Sequence, residues 1–197
     1  LYENRVIEVP VFEQEEKVDF IFTIDTTISD VSPSDSYILS FKNDTNKNFY
    51  IDWGDGQNEY VLWNQSVSSI IHQYPTGGVY DISIRGYFVF KNSSTSGVDN
   101  NKVIAVKQWG KNYRTDFVLT LDRCYNIESL PLDETLVLPT NCAGGFGWVP
   151  LSNFGKIDTS KAQTLTQLFY GTNFDYNIGD WNVARVQVFT QMFFGTS

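Results

Sequence analysis

The feature that most constrains the fold is an internal echo near the C-terminus. Residues 156–172 recur at 180–196, an offset of 24 positions that maps Gln167 to Gln191, Phe169 to Phe193 and Gly171 to Gly195. A unit this short cannot bury an apolar face alone, so successive copies stack and share one core. The period lies in the range in which each unit supplies a short strand and a helix or 3₁₀ turn. Aromatic residues recurring at such a period are read first as the common core and second as a binding surface. Adjacent aromatics face different ways, so Phe169 and Phe193 are expected inside. Tyr170, Phe194 and Trp148 are the binding-surface candidates.

The N-terminal half follows a different rule, a period of two. In 18–25, Phe20, Phe22 and Ile24 fall on one face, and in 79–90 Tyr80, Ile82 and Ile84 alternate with Asp81, Ser83 and Arg85. Further short strands are expected at 37–41, 49–53, 59–63 and 67–71, spaced as in a two-layer β fold. Asp55-Gly56 is a tight hairpin turn, and His72-Gln73-Tyr74 opens a loop through Pro75, Gly77 and Gly78. The Asn/Ser/Gly-rich stretch 91–102 marks a boundary, after which 102–110 reads as a strand entering a new unit. The expected layout is an extended arm or linker at 1–15, where Pro10 interrupts an apolar run. A sandwich follows at 16–92, a linker at 93–101 and a repeat region at 102–197, with the period clearest at 156–197.

Charge and composition exclude several functions. The net charge is −9, with 14 basic against 23 acidic residues, which leaves no basic stripe for a phosphate backbone and argues against nucleic acid. No run approaches the ~20 apolar residues of a membrane span. The first residues lack the basic-then-apolar layout of a signal peptide, so any export signal or anchor is expected outside these 197 residues. Gly144-Gly145-Phe146-Gly147 lacks the Lys-Ser/Thr of a phosphate loop.

His72 is the single histidine, so a Ser-His-Asp arrangement would have to use it; its place before a turn makes a structural role the expectation. Asp52 and Asp55 have the residue types of a glycosidase pair, but a carboxylate beside a Gly-rich turn more simply caps backbone N–H groups. Asp55 is also the one calcium candidate, although the spacing is not that of an EF-hand; no other cofactor is expected. Cys124 and Cys142 read either as small core residues or as one disulfide of an exported protein.

Two family resemblances join these readings. Trp53-Gly54-Asp55-Gly56, then His72-Gln73-Tyr74, a Pro/Gly turn and Tyr80-Asp81-Ile82-Ser83-Ile84 resemble the polycystic-kidney-disease (PKD) type β-sandwich. Asp180-Trp181-Asn182-Val183, Met192-Phe193-Phe194-Gly195 and the linking Phe174-Asp175 to Ile178-Gly179-Asp180-Trp181 resemble the BspA-like (DUF285-type) surface-protein repeats. Trp109-Gly110 and 117–127 look like an earlier, degenerate copy.

The resemblance implies a mainly β chain, an N-terminal PKD/immunoglobulin-like β-sandwich followed by a short leucine-rich-repeat-like solenoid. It implies a non-catalytic, surface-displayed binding or adhesion protein, extracellular or at a cell surface. The sandwich would act as spacer and the repeats would contact a protein or glycan at a cell or host surface, with self-association a further option. Two other classes stay open: a structural component of a larger assembly such as a virion fibre or decoration protein, and an accessory domain of a carbohydrate-active enzyme.

Overall fold

The computed structural model describes residues 19–43, 46–92, 97–110 and 120–197; the arm expected at 1–15 lies outside them. The chain is mainly β. In chain order the strands are β1 (Phe20–Asp25), β2 (Ser36–Ser40), β3 (Asn48–Asp52), β4 (Asn58–Val61), β5 (Ser69–Gln73), β6 (Val79–Tyr87) and β7 (Lys91–Asn92). After a 3₁₀ turn at Asn100–Lys102 come β8 (Val103–Gln108), β9 (Thr120–Leu121), β10 (Thr135–Val137) and β11 (Lys156–Asp158).

The period-two residues build the larger sheet. β4, β3, β6, β1 and β8 are hydrogen-bonded in that order, all antiparallel. Phe20, Phe22 and Ile24 of β1 and Ile82 and Ile84 of β6 are buried on one face of it. That face meets the antiparallel pair β2–β5, where the Phe22 and Tyr37 rings lie 6.1 Å apart. Burying a side chain of this size contributes roughly 1.5–3 kcal/mol, and such contacts join the two layers.

Two expected strand limits move. β5 takes in His72 and Gln73, because the ladder with β2 sets Tyr37 opposite His72, and the apolar Val67 is left outside and exposed. β6 stops at Tyr87 and not at 90. Gly86 there has φ +109°, and a Cβ on it would lie 2.4 Å from the Asn48 carbonyl oxygen. Beyond it Phe90 makes a separate bridge to Phe41.

Both layers continue into the C-terminal part. β8 lies beyond the 93–101 stretch yet pairs with β1, and its other edge bonds to the next segment, with the Val106 N–H donating to Ser129 O and the Glu128 N–H to Ile104 O. On the other side β7 runs parallel to β9, and the Leu121 N–H donates to Gly145 O. A single apolar core joins the two parts, from Phe20 to Met192.

A buried polar knot fastens the junction. Lys102 Nζ donates to the carbonyl oxygens of Ser32, Pro33 and Ser36 and to Ser32 Oγ, at 2.7–2.9 Å. The Asp99 carboxylate accepts from the Ser32 and Ile38 N–H groups and from the Ser32 hydroxyl. Burial lowers the Lys102 pKa, with Asp99 opposing that shift.

The repeats form tiers at 121–127, 142–149, 165–172 and 189–196. Within a tier the chain makes overlapping i→i+3 turns: the N–H groups of Leu168, Tyr170 and Thr172 donate to the carbonyls of Leu165, Gln167 and Phe169. The alternate N–H groups, those of Leu165, Gln167, Phe169 and Gly171, donate forward to Val188, Thr190, Met192 and Phe194. Of the helix or 3₁₀ turn expected in each unit, these i→i+3 turns are what forms, and there is no α-helix among the described residues. Gln167 and Gly171 hold φ of 54° and 66°, a left-handed conformation that ends any right-handed helix after one turn. The inner face is a pile of rings: Phe146, Phe169 and Phe193 stack at 5.6 and 5.8 Å with planes 6° and 8° apart.

Candidate binding face

The forward hydrogen bonds align the tiers residue by residue. Arg123, Trp148 and Gly171 donate to Gly147, Tyr170 and Phe194 respectively. Arg123, Trp148, Gly171 and Gly195 therefore occupy one column, and all four have φ between 59° and 72°. The neighbouring column is Asp122, Gly147, Tyr170 and Phe194.

The three aromatic candidates come together on these columns. Trp148 and Tyr170 are 5.3 Å apart and edge-to-face at 65°, and Tyr170 and Phe194 are 5.3 Å apart and stacked at 18°. Trp148 is 42% and Phe194 58% exposed, while Phe169 is fully buried and Phe193 partly so. The inside–outside split expected of adjacent aromatics is what the tiers display.

The aromatic column is interrupted at Gly147, and the gap is a cleft. A Cβ on Gly147 would lie 2.6 Å from Asp122 Oδ1, so a side chain there would push that carboxylate out of its present place. The cleft has a volume of about 340 Å³ and is lined by Asp122, Arg123, Gly144, Gly147, Trp148, Gln167 and Tyr170. Burial raises the Asp122 carboxyl pKa, and Arg123, 3.8 Å away, opposes the rise. Gln167 is held by its tier neighbour, its Nε2 donating to Gln191 Oε1 at 2.9 Å. The lining combines an indole, a phenol, an amide, a carboxylate and a guanidinium.

Asp122, Arg123, Gln167 and Gly147 were not read as binding residues from sequence, although Gln167 marked the repeat and Gly147 closed the Gly-rich run set aside as a phosphate loop. The signal that would find them is the column alignment, but spacings of 25, 23 and 24 between Arg123, Trp148, Gly171 and Gly195 blur it at the first tier.

His72 and Asp55 lie elsewhere, under the hairpin of β3 and β4. The His72 ring stacks on Trp53 at 4.5 Å and 3° and meets Tyr74 edge-on at 4.5 Å. Its Nε2 is 2.9 Å from Asp55 Oδ2, and Asp55 Oδ1 accepts the Gln57 N–H at 2.9 Å. Both carboxylate oxygens of the calcium candidate are thus engaged in the turn. Burial acts to raise the Asp55 pKa, but the His72 and Gln57 hydrogen bonds outweigh it and the carboxyl sits below its ordinary value. Asp52 accepts the Gly54 N–H at 3.0 Å, in the capping role expected of it. No group of three metal-ligating side chains occurs among the described residues. Cys124 and Cys142 are both buried and form no disulfide with each other; Cys142 Sγ donates to Pro139 O at 2.9 Å.

Residues 144–197 match the family described as "Mycoplasma protein of unknown function, DUF285". The match covers the last tiers and most of the cleft lining, including Trp148, Gln167 and Tyr170. No curated protein and no solved structure matches the chain. No helix among the described residues is long and apolar enough to cross a membrane.

Proposed function

We propose that this is a non-catalytic, surface-displayed binding or adhesion protein, extracellular or at a cell surface. In this reading the two N-terminal layers are a PKD-like sandwich acting as spacer. The tiers are a short solenoid whose outer face meets a protein or glycan. The observation that carries the reading is the run of rings Trp148, Tyr170 and Phe194, exposed at its two ends and half-buried at Tyr170, set side by side at 5.3 Å next to a polar cleft. Exposed aromatics beside a few convergent polar groups are the usual composition of a recognition surface. Continuity of the hydrogen-bond ladders from β8 and β9 into the tiers suits a rigid spacer.

The test is surface plasmon resonance of the full chain against purified extracellular-matrix proteins and immobilised glycans, beside the Tyr170→Ala/Phe194→Ala double variant. Binding that weakens at least tenfold in the variant supports the reading. A wild-type chain that binds none of them, or a variant that binds equally well, overturns it.

A further inference from the structure

We infer that the cleft between the first tiers is a site for a neutral saccharide. The inference rests on the contact-face reading above and names the chemistry that face takes. Its first support is a departure from backbone economy. The column Arg123, Trp148, Gly171, Gly195 is left-handed throughout, a conformation glycine adopts freely and other residues adopt at a cost. The later tiers use glycine there. The first two place Arg and Trp in it, both lining the same cleft. Non-glycine residues held in that region gather where function requires them. Nothing in the core asks for either side chain, since Trp148 and Arg123 are both substantially exposed.

The lining selects the ligand class by elimination. An anionic ligand, nucleotide or phosphate, would meet the Asp122 carboxylate and a chain of net charge −9. A cation would meet the Arg123 guanidinium, 3.8 Å from that carboxylate. An apolar ligand would leave Asp122, Arg123 and Gln167 without partners as it displaced water. A neutral sugar offers each group its complement: hydroxyls that donate to Asp122, accept from Arg123 and do both with Gln167, and a C–H face for the exposed indole of Trp148. The cleft of about 340 Å³ is at the small end of ligand sites, which run from ~300 to 1,000 Å³, and suits a short stretch of glycan. The rings of Tyr170 and Phe194 face each other, so the stacking platform is Trp148 and the tyrosine forms the wall.

The experiment applies the labelled full chain to an array of neutral, sialylated and sulfated oligosaccharides together with extended peptides. The strongest oligosaccharide is then titrated into ¹⁵N-labelled protein while the Trp148 indole N–H resonance is followed. Selection of a neutral oligosaccharide, a saturating shift of Trp148 and a tenfold or greater loss of affinity in Trp148→Ala and Arg123→Gly are expected. Arg123→Gly suits the left-handed position and should keep the wild-type melting temperature, so its loss of binding cannot be put down to unfolding. Selection of charged glycans or of peptides, or an oligosaccharide that leaves Trp148 unshifted, overturns the saccharide assignment while the contact-face reading stands. No binding to any glycan, peptide or matrix protein overturns both.

Discussion

The indole of Trp148 lies directly on the backbone of Gly171, so close that a Cβ at residue 171 would fall 2.5 Å from Cε3 of the ring. Two tiers thus leave a glycine where the preceding tier lays down a side chain: Trp148 over Gly171, and Asp122 over Gly147. The outer surface of the tiers is shaped by these paired choices. Gly171→Ala introduces both a left-handed alanine, at about 1–2 kcal/mol, and an overpacked contact, at about 1–3 kcal/mol. A loss of about 2–5 kcal/mol in chemical denaturation is expected. Removing the ring relieves the second cost, so Trp148→Ala/Gly171→Ala should be more stable than the sum of the single variants implies. Strict additivity would mean that the ring does not rest on residue 171.

Acid should loosen the β3–β4 turn through Asp55. Its carboxyl sits below the ordinary value of 3.8 because the His72 and Gln57 hydrogen bonds outweigh the opposing effect of burial. A carboxyl whose folded value is depressed contributes stability that is complete above its unfolded value and is lost as pH falls through the folded one. The chain should therefore lose stability progressively below about pH 4. In Asp55→Asn the acid slope should be shallower and stability at pH 7 lower. Thermal melts of both proteins between pH 7 and pH 2.5 make the comparison, and parallel curves would remove Asp55 from the account.

The cysteines should be inert while the chain is folded. Burial pushes the Cys142 thiol up to about 12, and Cys124 is equally enclosed. The thiolate is the reactive form, so iodoacetamide at pH 8 should modify neither residue in the native protein and both in guanidinium chloride. Mass spectrometry without reductant should show two thiols. A mass lower by two hydrogens, or labelling of the folded chain, would contradict this placement.

Legibility from sequence followed the range of the interaction. β1 and β6 were plain because Phe20, Phe22, Ile24, Ile82 and Ile84 record a half-buried face in a few consecutive residues. The apolar run of β8 announced a strand but not its partner: pairing with β1 joins residues some eighty positions apart, and nothing in Val103 to Val106 names that neighbour. β5 shows the same limit at its ends, since Ile71 is apolar yet exposed and only the register with β2 decides which residues pair. On the candidate face Trp148, Tyr170 and Phe194 stood out as large aromatics at a repeat period. Asp122 and Arg123 did not. Their role depends on Gly147 being empty and on an alignment that slips by one residue in each direction between tiers.

The last tier should carry an alternating pattern of amide exchange. In the tier before it, Leu165, Gln167, Phe169 and Gly171 donate forward while Leu168, Tyr170 and Thr172 donate within the turn run. The last tier keeps the inner set, with Met192, Phe194 and Thr196 donating to Phe189, Gln191 and Phe193. Its forward set, the N–H groups of Phe189, Gln191, Phe193 and Gly195, has no acceptor among the described residues. Exchange tracks whether an N–H is bonded and how often that bond opens. Phe189, Gln191, Phe193 and Gly195 should exchange rapidly, Met192, Phe194 and Thr196 more slowly, and Leu165 to Gly171 most slowly of all, as read by NMR in deuterated buffer at a concentration where light scattering gives a monomer. Protection of the forward set under those conditions would mean that something already occupies the edge; uniform rapid exchange across both sets would mean that the last tier is not folded as described.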